Sequence, residues 1–205
     1  MKGMELMSVI NEIVKREWDF FQEARNEGGR ASCQNDWETF RIMRESQFET
    51  WPDMLAESYL EDLKAAEAAG WNLVAEKYAR MMESTAPDKY KEIEAILPPC
   101  SDQKKLLANA IAGIQVGWME EFAKAYPRLA GNGRLIHTGE DSVYDTSMET
   151  YLRGELLTYS EQTIQIYGGY VAELAKAGGN LNAAIIDRTV KKYGYQSLED
   201  AEENC

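Results

Sequence analysis

Apolar residues recur along this chain at intervals of three and four, and no useful stretch alternates with a period of two, so the pattern is that of amphipathic helices. From Glu5 to about Asn26, Leu6, Ile10, Ile13 and Phe20 or Phe21 share one face, and Gly28-Gly29 supplies a stop. A second helix is predicted from about Asn35 to Thr50. Pro52 suits the first turn of a third, which runs to Ala69 and closes at Gly70. A fourth covers Asn72 to Ser84 with Leu73, Tyr78 and Met81 inward, and Pro87 opens a short fifth that ends before Pro98-Pro99. Ser101 and Asp102 cap a long sixth reaching about Tyr126, where Gly113 and Gly117 would let a neighbour approach closely. Gly131 to Asp141 lacks helical periodicity and reads as a loop or short hairpin, the kind of segment that often carries function. A seventh helix starts near Thr146 and continues to Ala177, bent at Gly168-Gly169, and an eighth runs from Leu181 to Tyr193. Ser197 with Asp200 caps a last short turn. The expected fold is an all-α, single-domain irregular bundle of about seven or eight helices over residues 1–205.

The second helix departs from simple patterning. At about 100° per residue, Trp37, Phe40, Met43, Phe48 and Trp51 fall on one arc of roughly 140° that should face the core. Asp36, Arg44 and Gln47 fall on the same arc. A buried charge or amide without a partner is costly, so these three need one another, another element or a ligand. The preceding segment, Gly28-Gly29-Arg30-Ala31-Ser32-Cys33-Gln34-Asn35-Asp36, adds candidates. N–H groups at a helix start attract anions, Arg30 offers a charge-assisted fork, and Gln34 stands beside it. The competing reading is an ordinary turn with Ser32 or Asn35 as N-cap. Cys33 near a helix start reads either as a nucleophile, with His137, the only histidine, as its base, or as a small buried hydrophobe.

A second cluster lies at 149–160. Leu152, Leu156, Ile164, Ile166, Tyr170 and Val171 define an apolar side, and Arg153 projects inside its edge. Glu149 stands four residues earlier as an in-helix partner, while Tyr151, Glu155 and Tyr159 form an adjacent stripe that would line a pocket or pack as a seam. His137, Glu140 and Asp141 match a metal group only in residue type. No ligand spacing accompanies them, so no metal is predicted, and no cofactor is identified.

The chain has 205 residues and a net charge of −13, which disfavours nucleic acid or an anionic membrane as a partner. An anionic ligand would need a local group of arginines to overcome that field. Cys33, Cys100 and Cys205 show no pairing pattern, and no basic segment with an apolar signal core opens the chain, which points to a reduced cytoplasmic location. Leu106 to Met119, the longest apolar-looking stretch, is too short to span a membrane.

The residues Gly28 to Gln34, Phe40, Met43-Arg44, Ser46-Gln47-Phe48 and Trp51, together with Thr150 to Glu155 and Thr158 to Ser160, resemble the family known as domain of unknown function 4125 over nearly the whole chain. The resemblance implies a bacterial cytoplasmic helical protein, in some relatives joined to a nucleotidyltransferase-like domain, and brings no activity with it. Two functional expectations follow. In one, the two clusters converge on a pocket for a small anionic metabolite such as a nucleotide or phosphate ester; Arg30, Arg44 and Arg153 bind the anion, Gln34, Asp36, Gln47, Tyr151, Glu155 and Tyr159 line it, and Cys33 or His137 carries any chemistry. In the other, the same residues are a satisfied network, and the protein is a non-enzymatic interaction module, with a nucleotidyltransferase-like protein as partner.

Overall fold

A computed structural model describes residues 2–25 and 29–205. Gly28, the first glycine of the expected turn, lies outside the described residues. Among them the chain is all helical: α1 Lys2–Glu23, α2 Trp37–Phe48, α3 Asp53–Ala68, α4 Leu73–Thr85, α5 Pro87–Ile93, α6 Asp102–Ala125, α7 Pro127–Gly131, α8 Met148–Leu156, α9 Glu161–Lys176, α10 Leu181–Lys192 and α11 Leu198–Asn204, with no strand. Single turns of 3₁₀ helix cover Ser32–Asn35, Glu94–Ile96 and Thr138–Glu140.

Eleven α-helices replace the expected seven or eight, for local reasons. The helix expected from Thr146 to Ala177 is two. Ser160 interrupts it by capping α9, its Oγ accepting from Thr163 N at 3.2 Å while its own N–H donates to Asp62 Oδ2 at 2.9 Å. Helix α9 runs unbroken through Gly168-Gly169, the expected bend. After Pro127 the chain makes one more short helix, with Glu202 accepting from the N–H groups of Arg128 and Leu129, both at 2.8 Å. Side-chain caps at Asp36, Asn72, Ser101, Ser147, Ser160, Asn180 and Ser197 set the other starts.

One apolar cluster joins α1, α3, α4, α6, α8, α9 and α10 with Phe48 at the end of α2. Its fully buried members include Ile10, Ile13, Phe48, Leu55, Leu63, Ile111, Leu156 and Ile164. Within it Trp51, Tyr59 and Tyr159 form an aromatic chain, with ring centroids 5.7 and 4.9 Å apart at successive contacts. Helix α8 packs against both α4 and α6. Its approach to α4 depends on Gly154, where an added Cβ would lie 2.9 Å from Met81 Cγ and 3.1 Å from Lys77 O. The expected close-approach glycines, Gly113 and Gly117, have nothing within 4 Å of such a Cβ. The exposed edge of α6 carries them, so they serve no contact there.

The segment between α7 and α8 is a strap, not a hairpin. Leu135 O accepts from Met148 N at 2.7 Å and Ile136 O from Glu149 N at 3.1 Å, satisfying donors that the start of α8 leaves free. Asp141 ties the strap to α4 and α8, accepting from Ser84 Oγ (2.5 Å), Thr150 Oγ1 (2.6 Å) and Ser147 N (2.7 Å). Burial opposes its charge, but those hydrogen bonds prevail and hold its carboxyl below the ordinary range.

Candidate functional site

The polar residues singled out by pattern fall into two groups on opposite sides of α8. The first is a closed network around Arg44, which is 8% exposed. Arg44 Nε donates to Glu17 Oε2 at 2.6 Å and Nη2 to Glu17 Oε1 at 2.5 Å, a bidentate pair between α1 and α2. Nη2 and Nη1 also reach Glu155 at 3.1 and 3.3 Å, and Nη1 donates to Gln47 Oε1 at 2.8 Å. Around these, Gln47 Nε2 and Tyr159 OH donate to Glu155 Oε1 at 3.1 and 3.0 Å, and Tyr59 OH donates to Glu17 Oε1 at 2.7 Å. Lys77 Nζ lies 3.4 Å from Glu155 Oε2 and donates to Tyr151 OH at 2.8 Å.

Two cations therefore face two carboxylates, and every long polar side chain has a partner. Burial alone would drive Glu155 toward its neutral form, but Arg44 and Lys77 hold its carboxyl far below the usual carboxylate range. Burial works against the charge of Lys77 as well, yet Tyr151 and Glu155 hold its ammonium above the ordinary lysine value. The hydroxyls of Tyr59 and Tyr159 are pushed well up by burial and by the adjacent carboxylates. Arg44, Lys77 and Glu155 therefore stay charged at neutral pH, and Arg44 points at protein on every side.

The second group opens outward. Arg153, with its side chain 30% exposed, is fixed at three corners: Nε donates to Asn109 Oδ1 at 2.8 Å, Nη2 to Glu149 Oε1 at 2.6 Å and Nη1 to Thr138 Oγ1 at 3.2 Å. It lines a cleft of about 560 Å³ together with Arg80 and Ser84 of α4, Tyr90 of α5, Lys105 and Asn109 of α6, and Thr138 of the strap. That volume falls in the ordinary range for small-molecule sites. Arg80, 8% exposed, is held by Glu76 through Nε at 2.8 Å and by Pro98 O through Nη2 at 2.8 Å. Glu149 is held below its ordinary range because the Thr138 N–H and Arg153 outweigh its burial, so Arg153 keeps an ionised partner. Burial pushes the Tyr90 hydroxyl up, with Glu83 adding to it, so this group stays protonated.

The remaining expected residues sit elsewhere. Asp36 is exposed and outside the helix arc assigned to it; it is the N-cap of α2, accepting from Thr39 N at 3.0 Å, which holds its carboxyl below the ordinary value. Because α2 begins at Trp37, that ring is 40% exposed and Met43, also expected inward, is 49% exposed. Gln34 is buried, but its amide caps the end of α1, donating to Phe21 O at 2.6 Å and Ala24 O at 3.0 Å. Arg30 is exposed and braces the same turn through Gln34 O (2.8 Å), Asn35 Oδ1 (3.0 Å) and Gln22. Cys33 is exposed in the 3₁₀ turn, while His137 lies on the strap, 3.3 Å from Glu120 Oε1. No hydrogen bond joins Cys33 to His137 among the described residues, so the expected dyad is not assembled.

Tyr151 belongs to the enclosed group, its ring centroid 4.2 Å from Lys77 Nζ and 4.6 Å from Arg134 Cζ of the strap. Sequence reasoning passed over Glu17, Lys77 and Arg80. Each had a signal: Glu17 continues the stripe of Ile10 and Ile13, Lys77 lies midway between Leu73 and Met81, and Arg80 stands four residues after Glu76.

Among the described residues no group of three or more His, Cys, Asp or Glu could hold a metal ion, and no helix is long and apolar enough to cross a membrane. Neither the curated proteins nor the solved structures contain a match to this chain. A family model does match: that for the protein of unknown function family DUF4125 covers residues 7–203, and the chain belongs to that family.

Proposed function

We propose that the protein binds a small metabolite through its acid group in the cleft between α4, α5, α6 and α8. The observation that carries this reading is Arg153, whose guanidinium is oriented by Asn109, Thr138 and Glu149 while its side chain still opens on the cleft. A guanidinium held by its neighbours before a ligand arrives loses less freedom on binding. Ser84 and Thr150 on the same walls spend their hydroxyl protons on Asp141, leaving oxygen lone pairs that can accept from a hydroxyl- or amide-bearing body.

The ligand acid is small. Arg153 and Arg80 are each offset by a carboxylate, Glu149 and Glu76, so a nucleoside triphosphate would meet too little free positive charge in a protein of net charge −13. A thermal-shift screen of carboxylates and phosphate monoesters tests the reading, run on the wild type, on Arg153→Gln and on Cys33→Ser as a control outside the cleft. The expected result is a stabilising compound for wild type and Cys33→Ser that loses its effect on Arg153→Gln. Equal stabilisation of Arg153→Gln would remove the cleft from consideration.

A further inference from the structure

The cleft contains charges that an acid group alone leaves unmatched. The side chain of Lys105, exposed on α6, forms no hydrogen bond or ion pair with a described residue, and the same is true of the side chains of Glu83 on α4 and Glu94 just beyond α5. Both carboxylates line this cleft together with Arg80 and Tyr90. Arg80 supplies a second, independent sign of a ligand. It is more than nine-tenths buried, its Nε and Nη2 are taken by Glu76 and Pro98 O, and Nη1 has no partner among the described residues. Among the described residues the fully enclosed unpaired side-chain atoms are Ser46 Oγ and Trp51 Nε1; Arg80 Nη1 is not one of them, and the residue lines the cleft. A guanidinium donor left free on a residue that lines a cleft is available to an acceptor entering it.

Resting on the proposed function, we infer that the ligand is a zwitterion of the amino-acid class. One acid group, carboxylate or phosphate, meets Lys105, Arg153 and Arg80 Nη1, and an ammonium group meets Glu83 and Glu94. After Glu76 and Glu149 have offset the two arginines, one free cation and two free carboxylates remain among the described residues of the walls. A simple anion would match the first and be repelled by the second. A ligand carrying both signs matches each, and neutralises unpaired charge that the fold itself leaves open.

Two matched sets of probes test this by backbone amide NMR: γ-aminobutyrate against butyrate and butylammonium, and phosphoethanolamine against ethyl phosphate and ethanolamine. In at least one set the zwitterion should shift the amides around Arg80, Lys105 and Arg153 saturably, with a Kd about tenfold below that of either half-molecule. The set that does so tells carboxylate from phosphate. Glu83→Gln with Glu94→Gln should remove the advantage over the anion, and Lys105→Gln the advantage over the amine; all three side chains are exposed, so the variants should fold. If butyrate or ethyl phosphate binds the cleft as tightly as its zwitterion, and the double glutamine variant changes nothing, the zwitterion fails while the acid-binding reading stands. If no probe shifts the cleft amides at about 10 mM, both readings fail together.

Discussion

Replacing Arg44 by Met separates the enclosed network from an ordinary surface ion pair. Met keeps much of the aliphatic stem and removes the charged head, whose Cζ lies 4.8 Å from the centroid of the Phe48 ring. That head makes five hydrogen bonds, two to Glu17, two to Glu155 and one to Gln47. With it gone, Glu17 keeps the Tyr59 hydroxyl and Glu155 keeps Lys77, Gln47 and Tyr159, leaving two buried carboxylates and one cation. Removing one partner of a buried pair typically costs about 3–5 kcal/mol, which for a chain of this size lowers Tm by about 6–20 °C.

The pH dependence makes the test sharper. In the wild type, the folded pKa of Glu155 lies below its unfolded value. Its contribution to stability is therefore complete above the unfolded value, near 4.3, and is lost as pH falls through the folded one. In Arg44→Met the surplus carboxylate has a raised folded pKa. The stability it permits is complete below about 4.3 and is lost as pH rises through the raised value. Urea unfolding followed by tryptophan fluorescence, from about pH 5 to 8, should show the variant losing stability with rising pH while the wild type does not. Adding Glu155→Gln should restore part of the loss, because the network is then neutral again. A cost below about 1 kcal/mol at pH 7, with the same value at pH 5, would refute the reasoning, since it would mean that the head is solvated as a surface ion is.

Three further outcomes follow from the packing. Gly154→Ala must move Met81 and the Lys77 carbonyl and should cost about 1–3 kcal/mol, whereas Gly113→Ala meets nothing and should gain up to about 1 kcal/mol from helix propensity; thermal melts of the two, run side by side, check the contrast. Gln34→Ala leaves the carbonyls of Phe21 and Ala24 without their donor and should cost about 1–3 kcal/mol in urea unfolding, without changing any ligand-induced shift in the cleft. The raised folded pKa values of Lys77, Tyr59 and Tyr159 mean that their contributions are complete below about pH 10 and are lost above it, so circular dichroism should record alkaline unfolding that Lys77→Met begins at lower pH, having already lost its part of the network.

The helices were legible because each combines a 3.6-residue stripe with a cap or a proline, and the boundaries that failed are those where one side chain decides. Asp36 illustrates this. Read as the second residue of a helix beginning at Asn35, it falls on the buried arc; as the cap of a helix beginning at Trp37, it stands outside. A shift of two residues thus turned a candidate site residue into a surface one. Ser160 had the same effect on the long seventh helix, since a serine in a helical pattern becomes a break only when Asp62, ninety-eight positions away, holds its N–H. Arg44, Gln47 and Glu155 were legible as polar intrusions in apolar stripes. Their meeting with Glu17 and Lys77 was not, because each stripe specifies only its own helix and the pairing of stripes is a tertiary fact.

The two polar groups are linked by the helices they share. Arg153 and Glu155 are two residues apart on α8, so at about 100° per residue their side chains leave the helix roughly 200° apart. One enters the cleft and the other the enclosed network. Gly154 between them faces α4 at van der Waals distance, and α4 repeats the division, with Lys77 in the network and Arg80 in the cleft wall. Rotation of α8 about its axis is therefore limited by Glu155, which is gripped from α2 through Arg44 and from α4 through Lys77. That same rotation sets where Arg153 points. The buried ion network, costly as an isolated element of stability, then has a role that hydrophobic residues of equal volume would fill less well: hydrogen bonds with direction fix the register of α4 against α8, and so the geometry of the cleft that the two helices wall. On this argument Arg44→Met/Glu155→Leu should regain stability relative to Arg44→Met yet bind cleft ligands more weakly than the wild type. Recovery of stability together with unchanged ligand affinity would show that the network serves the fold alone.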